Sequence, residues 1–535
     1  MNRFLTSMTR WIGLFALVSG LSMLGCTGGS PAEQAARQVA TQSNDAAQPE
    51  DARRQAAKPD DAIARLRAVE GVVVERSEGD VRVFLLEDDS LCRDEDLKLI
   101  KELTDVKEVQ LAGGFISNHG LENIRDLEQL ETLWITGTNV DDGGLAHLTT
   151  FPELTDLRLY DRQRPTAVTG VSTYLLTDHG LAHLSKLKAL ERLTLVGGDF
   201  TDAGMEHLRD LEQLRFLHLS YRGMTDNGLI PFQEFRNLEE LVIGSPRLTG
   251  ACTAHLRGVG NLRKLTLSGD EVTGPGLEHL AECPQLESLD LKGANLTDDG
   301  LVHLQTLKHL RRLELSGRAI GDNGLAHLSA LTDLEKLVLD GMLVTDVGLK
   351  HLRHVKNLRV LSLDRTGATA GGMTDRELTP LQELGNLEEL VIRSPRLTGA
   401  CTAHLRGIDN LRKLTLSGDQ VTGPGLEHLA ECSELESLDL KGVNLTDDGL
   451  SHLQTVTQIR HLNLSQQTIG DNGLAYLSAL TNLEELDLGG TLVTDAGLEH
   501  LRALKNLQVL TIDRARVTAS GEKMLLQSLP GLTIK

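Results

Sequence analysis

The chain has 535 residues, 40% of them apolar and 52 of them glycine, a globular balance that excludes a collagenous, wholly disordered or polytopic membrane protein. Against 76 Asp and Glu stand 54 Lys and Arg, a net charge of −22 that repels phosphate backbones, so no nucleic-acid partner is expected without a basic stripe. Aromatic residues, at 3%, are too few for a conventional mixed core.

The first thirty residues read as an export signal. Arg3 and Arg10 precede a mostly apolar run from Trp11 to Leu24, short of the roughly 20 residues that span a bilayer. The run ends in Met23-Leu24-Gly25-Cys26. A cysteine directly after an apolar run and a small residue resembles the lipobox of bacterial lipoproteins. That resemblance implies cleavage after residue 25 and acylation of Cys26, which anchors the chain to a membrane of the cell envelope. An ordinary cleaved signal peptide and an uncleaved anchor are the alternatives. Residues 26–60, rich in Ala and Gln, hold a single bulky aliphatic side chain (Val39) and cannot form a core, so they read as a flexible tether. Residues 61–90 read as an N-terminal cap. Ile63, Leu66 and Val69 share one helical face, and Gly71–Glu75 and Val81–Leu86 flank a hairpin turn.

Residues 91–535 form one repeated unit. The last apolar residue of each short strand recurs from Leu111 to Ile512 seventeen times, and fourteen of the sixteen intervals are 24 residues. The exceptions are 36 residues (Leu159 to Leu195) and 29 (Leu363 to Ile392). In a typical unit Leu289 and Leu291 point inward around the outward Asp290, Gly293 allows a bend, and Thr297 or Asp298 starts a helix. Leu301, Leu304 and Leu307 line that helix's buried side. One unit cannot bury its leucines alone, so stacking must close the core. Ser245–Gly258 recurs unchanged at Ser394–Gly407, and Val272–Cys283 at Val421–Cys432, so residues 222–370 and 371–519 are a duplicated block.

The L-x-x-L-x-L core and the V-T-D-x-G-L-x-H-L pattern resemble the leucine-rich repeats of the ribonuclease-inhibitor-like and F-box type, and the cap-plus-repeat layout resembles bacterial envelope repeat lipoproteins. The resemblance implies an α/β fold: a curved solenoid with parallel strands on the concave side and helices on the convex side. The Asn or Cys that such repeats carry after the strand is not kept (Thr138, Asp270, Ala294, Arg318), so no side-chain ladder of that type is expected. No F-box precedes the repeats.

No catalytic or cofactor-binding motif occurs, and none of the expected functions is enzymatic. Twelve of the 18 histidines fall in one column (among them His303 and His327), but Tyr476, Pro231 and Pro380 share it. Helices 8–10 Å apart keep neighbours from sharing a metal, so the column reads as structural and no metal is expected. Acidic pairs such as Asp298-Asp299 sit at helix starts, where caps and the helix dipole account for them. Cys283 and Cys432 read as inward and Cys252 and Cys401 as replacing a glycine, and spacing leaves open whether they pair.

What remains is the concave face. Beyond the signal only Tyr476 among twelve aromatics follows residue 235, so Trp134, Tyr160, Phe216 and Tyr221 gather on its first third with Arg158, Arg192 and His218. The 12 extra residues after Tyr160 add Arg162, Arg164 and Tyr174. Such residue types dominate binding hot spots, and loops on rigid scaffolds carry recognition. The expectation is a monomeric, non-catalytic scaffold on the bacterial envelope that binds a protein or other macromolecule there. An adhesive surface protein without a hot spot and an F-box-like ligase adaptor are the competing readings.

Overall fold

The computed structural model describes residues 59–77, 80–85, 91–103, 105–161, 164–165, 172–367 and 372–535, so the signal, Cys26 and the tether lie outside the described residues. The described chain opens with helix α1 (Pro59–Arg67), which buries Ile63 and Leu66. Strands β1 (Val72–Ser77) and β2 (Asp80–Leu85) follow as an antiparallel pair. β2 then pairs in parallel with β3 (Val106–Ala112), with a register shift between Val81 and Arg82. This small α/β cap offers the repeats a strand edge to grow from.

From β3 onward the ladder is parallel. β4 (Thr132–Thr136) and β5 (Asp156–Tyr160) precede a short hairpin, β6 (Arg164–Pro165) with β7 (Ser172–Thr173), that stands apart from the main sheet. The sheet resumes with β8 (Arg192–Val196), β9 (Phe216–Ser220) and β10 (Glu240–Gly244) and continues to Thr533–Ile534. It is one open sheet of 20 strands. The register keeps leucine opposite leucine: Leu241 faces Leu265, and the longer units stay in step, with Leu157 facing Leu193 and Leu361 facing Leu390. The extra residues of both long units therefore leave the ladder undisturbed.

Each unit returns through a helical turn, as the spacing requires, but a tighter one than expected. Most of these turns are 3₁₀ wholly or in their second half, as at Asp226–Glu234 and Ala146–Thr150, and the α-helical ones inside the repeats span seven residues or fewer until Ala519–Ser528. A 3₁₀ turn rises more per residue, which suits a unit that must cross the core in few residues. The interior is a stack of leucine columns, with Leu289, Leu291, Leu301 and Leu304 wholly buried. Among the described residues the buried aromatics are Phe151, Phe200, Tyr221, Phe232 and Phe235.

The acidic residues at the helix starts do something other than cap their own helix. Thr345 caps its own turn by accepting from the Val347 N–H at 3.1 Å. Asp322 of the preceding unit accepts from the Thr345 N–H and hydroxyl, both at 2.7 Å, and from the Gly348 N–H at 3.0 Å. The same bridge runs from Asp178 to Thr201, Asp202 to Thr225, Asp375 to Thr398, Asp471 to Thr494 and Asp495 to Thr518. It also dictates the glycine of the repeat, because a Cβ on Gly348 would lie 2.4 Å from an Asp322 oxygen. Asp298 likewise does not cap its turn but reaches the Gly321 N–H at 2.6 Å. In the 29-residue unit the bridge is replaced by a capping box of Thr374 with Glu377. A second ladder runs before the strands, where Asn261 donates to the Arg236 carbonyl at 2.8 Å and Asn410 to that of Gly385 at 2.9 Å. Side-chain ladders thus exist, and at the position after the strand single rungs occur as well: Thr366 donates to the Leu339 carbonyl and Gln467 to that of Leu440 at 2.8 Å.

Asp322→Ala leaves three donors without their acceptor. Hydrogen bonds to a charged group are worth about 1.5–3 kcal/mol, so a loss of that order is expected in urea unfolding. Amide exchange should accelerate around Thr345–Gly348. A variant as stable as the parent would show that the bridge carries no weight.

Candidate functional site

In β3, β4, β5, β8 and β9 the residues that alternate with core leucines form a grid on the strand face, because parallel pairing in register sets like positions side by side. One row is Glu108, Thr132, Asp156, Arg192, Phe216; the next is Gln110, Trp134, Arg158, Thr194, His218. Trp134, Arg158, Tyr160 and Phe216 are half-buried and Arg192 is exposed. Five of the residues singled out in the sequence therefore lie together.

Their geometry is organised around Asp156, which sequence reasoning passed over. Arg158 donates to its carboxylate through two nitrogens, at 3.0 and 2.7 Å, and Arg192 approaches the same carboxylate at 3.5 Å. The Arg158 guanidinium also lies 4.2 Å from the Trp134 ring centroid, and that of Arg192 4.1 Å from the Phe216 ring. Each cation is held between a ring and a shared anion, and planar guanidinium suits both contacts. The signal for Asp156 was its place two residues before Arg158, on the same face of one strand. Burial pushes the Tyr160 phenol and the Glu108 carboxyl up from their ordinary values, the latter against the opposing pull of Arg82 and Arg158.

Two expectations need correction. Tyr221 does not face the sheet's open side: it is buried, edge-on to Phe200 at 5.4 Å, because the chain has already turned inward after β9. His218 keeps its place in the grid but is only 9% exposed, covered by its bulky neighbours. Burial pushes its pKa down to about 4, so the ring is neutral. In the inserted segment Tyr174 is half-buried, only the backbone of Arg164 is described, and Arg162 lies outside the described residues. The base of the insertion is pinned by Asp161, whose carboxylate accepts from the Leu175 and Leu176 N–H groups at 2.8 and 2.9 Å. Gly197, with φ +79, gives it passage, since a Cβ there would lie 1.9 Å from the Asp161 carbonyl oxygen.

Elsewhere the strand face changes character. Glu314 binds Lys292 and, at 2.8 Å, Lys336. Burial and the neighbouring Asp364 raise the Asp340 pKa. On the helical side His452 meets Glu427 at 3.0 Å and His279 meets Arg257 at 2.9 Å. Among the described residues no three His, Cys, Asp or Glu side chains gather where they could hold a metal ion. Cys252, Cys283, Cys401 and Cys432 are buried free thiols, which settles the pairing that spacing left open. No described helix is long and apolar enough to cross a membrane.

The family model described as Leucine Rich repeat matches residues 282–304 and 479–501, two units of this same sheet. The fold is that of a leucine-rich repeat solenoid, and these two units carry the family's pattern. Among solved structures, a leucine-rich repeat protein of Leptospira interrogans is 19% identical, covering 82% of this chain and 97% of its own, with a TM-score of 0.46. An internalin of Listeria monocytogenes is 19% identical over 69% of this chain and 90% of its own, at 0.36. TLR13 in its complex with single-stranded RNA is 17% identical over 72% and 62%, at 0.45. No curated protein matches the chain.

His218 gives the repeat array a testable pH dependence. The unfolded chain takes up a proton at this site below about pH 6.5, the folded chain only near pH 4, so stability falls as pH drops through that window. Two pH units correspond to about 3 kcal/mol. His218→Gln should lessen the loss between pH 7 and 4.5 by about that amount in urea unfolding; an unchanged profile would show that the ring is not buried neutral. The thiols supply a second measurement. Burial pushes Cys283 and Cys432 up to about 11 and raises Cys252 and Cys401 as well. Ellman's reagent at pH 8 should reach these four only after unfolding, and rapid native labelling would contradict their burial.

Proposed function

We propose that this leucine-rich repeat protein is a non-catalytic binding scaffold that recognises a macromolecular partner, most simply a protein, on the strand face of its first repeats. The carrying observation is the pair of ring-stacked guanidiniums on β4, β5, β8 and β9, joined through Asp156. Rings and arginines held in place before binding lose little rotamer freedom on contact, which is how a few residues come to dominate an interface. Tyr160 and Tyr174, at the base of the insertion that Asp161 anchors, belong to the same reading, which also assigns Arg162 and Arg164 to the partner from the sequence. The hydrogen-bonded turns and leucine core behind the sheet hold these side chains at fixed spacings.

The same reading places the scaffold on a bacterial envelope. It divides the chain into a signal peptide (1–25), a tether (26–60), a cap (61–90) and the repeat array (91–535), with the lipid on Cys26. The tether's composition supports this, since a scaffold that must meet a partner gains reach from a coreless, polar linker. The scaffold acts as a monomer and needs no cofactor.

Two measurements test this. Crosslinking and affinity capture from intact cell envelopes should recover a partner with the parent chain. A Trp134→Ala, Tyr160→Ala variant of unchanged melting temperature should lose it, since truncating a true anchor costs roughly 2 kcal/mol, about thirtyfold in affinity. Equal capture by both would move recognition to the later repeats or to dispersed, adhesive contacts. Intact-mass analysis of the membrane-extracted protein should show a diacylglyceryl group on a chain that begins at Cys26. A soluble mature protein with an unmodified Cys26 would remove the anchor.

A further inference from the structure

The charges of the candidate face are sorted by depth. Across β2 to β9 it carries three cations and two anions in contact. The cations are the outer groups, with side-chain exposures of 49% for Arg82, 45% for Arg192 and 27% for Arg158. The anions lie beneath them, at 23% for Glu108 and 12% for Asp156. A partner approaching this patch therefore meets guanidinium edges first, on a chain whose net charge is −22. The hydrogen-bonding balance leans the same way. Arg192, 45% exposed, touches Asp156 only as a 3.5 Å ion pair, so most of its N–H edge is left to meet a partner.

We infer that this face, if the reading of it as the recognition site holds, takes a short acidic segment of a partner protein. Carboxylates would meet the outward edges of Arg192 and Arg158, and an apolar side chain would lie against Phe216 or Trp134. Guanidinium forks match carboxylates in two-point contacts, and both forks are already oriented by the rings beneath them. The segment has to be short. The four strands β4, β5, β8 and β9 span about 14 Å at 4.8 Å per strand, the length of about four extended residues. Farther along the face Lys264 and Lys336 are already paired with Glu240 and Glu314, and Asp439, Glu485 and Asp487 stand on the last strands, so a long polyanion laid along the sheet would meet like charge. This disfavours a nucleic acid strand and favours a local cluster of Asp or Glu.

The protein carries its own reporter. Its only tryptophans are Trp11 and Trp134, so in the full-length chain with Trp11→Phe all tryptophan emission comes from the patch. Titration with hexaglutamate at low salt should give a saturable change in that emission, and hexalysine should give none. Arg192→Gln, with an unchanged melting temperature, should weaken hexaglutamate binding about tenfold. Arg192→Lys, which keeps the charge and loses the fork, should fall between parent and Arg192→Gln. Added salt should weaken all three. No saturable response to hexaglutamate, binding indifferent to Arg192→Gln, or tighter binding of a thymidine hexanucleotide would each overturn the inference. The two readings fail separately. If Trp134→Ala, Tyr160→Ala abolishes envelope capture while hexaglutamate does not bind, the face stands and its acidic ligand falls. If hexaglutamate binds and capture is unaffected, the acid-binding chemistry stands and the captured partner docks elsewhere.

Discussion

Everything in this solenoid depends on the fact that no unit can satisfy its own ends. A turn of six to ten residues leaves most of its first N–H groups without an intrahelical acceptor, and a single Thr cap meets only one of them. The missing acceptor comes from the unit before, as the carboxylate of Asp322 shows at Thr345 and Gly348. The bridge is directional, each unit completing the next, and it runs beside the leucine columns that need the same neighbour for burial. Polar and apolar requirements therefore select one stacking geometry, and a unit displaced by one residue loses both. Gly348 is part of the same device, because the carboxylate occupies the space a side chain would fill.

A scaffold tied together along its core and its helix starts leaves the strand face largely free of structural duty. The ion pairs on its later strands, such as Lys264 with Glu240, are ordinary surface pairs worth at most about 1 kcal/mol each. The first repeats depart from this. Asp156 sits under two guanidiniums and two rings in place of open solvent, and Thr194 and His218 are covered as well. Large side chains on an outward face bury their neighbours only when they are held down, and here stacking and the shared carboxylate do the holding. That order belongs to the strand face itself, set by contacts among its own side chains.

The core was legible in the sequence because its signal is redundant: fourteen copies of one spacing fix strand, bend and buried turn, and each copy corrects the others. The ladder of carboxylates was not, because an acidic residue at a helix start has a sufficient local explanation in capping and the dipole. Only coordinates show that Asp298 passes over its own turn to reach Gly321. Tyr221 was misplaced for a related reason. Alternation assigns faces within a strand, and Tyr221 lies one residue past the end of β9, where the chain has turned and the alternation no longer applies. His218 was assigned its face correctly, but burial on that face is set by the size of Phe216 and other neighbours, which periodicity does not weigh. Asp156 was overlooked because small acids are common on exposed strands and its importance lies in what two arginines do around it.

The duplicated block bears on the same economy of stacking. The residue just before each strand alternates in sign from unit to unit: Arg215, Glu239, Arg263, Glu287, Arg311, Glu335, Arg359, then Glu388, Arg412, Glu436, Arg460 and Glu484. Arg215 meets Glu239 at 2.5 Å, Arg263 meets Glu287 at 2.9 Å, and Arg311 meets Glu335 at 3.1 Å. Each pair is exposed and adds little, but like charges at the strand spacing would cost a similar amount at every step. A copied block keeps this alternation only if it holds an even number of units. The block holds six, and the pair that crosses the junction, Arg359 with Glu388, closes at 2.7 Å despite the five extra residues between them. Those five residues are absorbed in the loop and turn before Glu388, where the Thr374–Glu377 capping box stands in for the broken carboxylate bridge. Both the sign pattern and the sheet register survive the insertion because the strand edge, fixed by pairing on either side, leaves the extra length only one place to go.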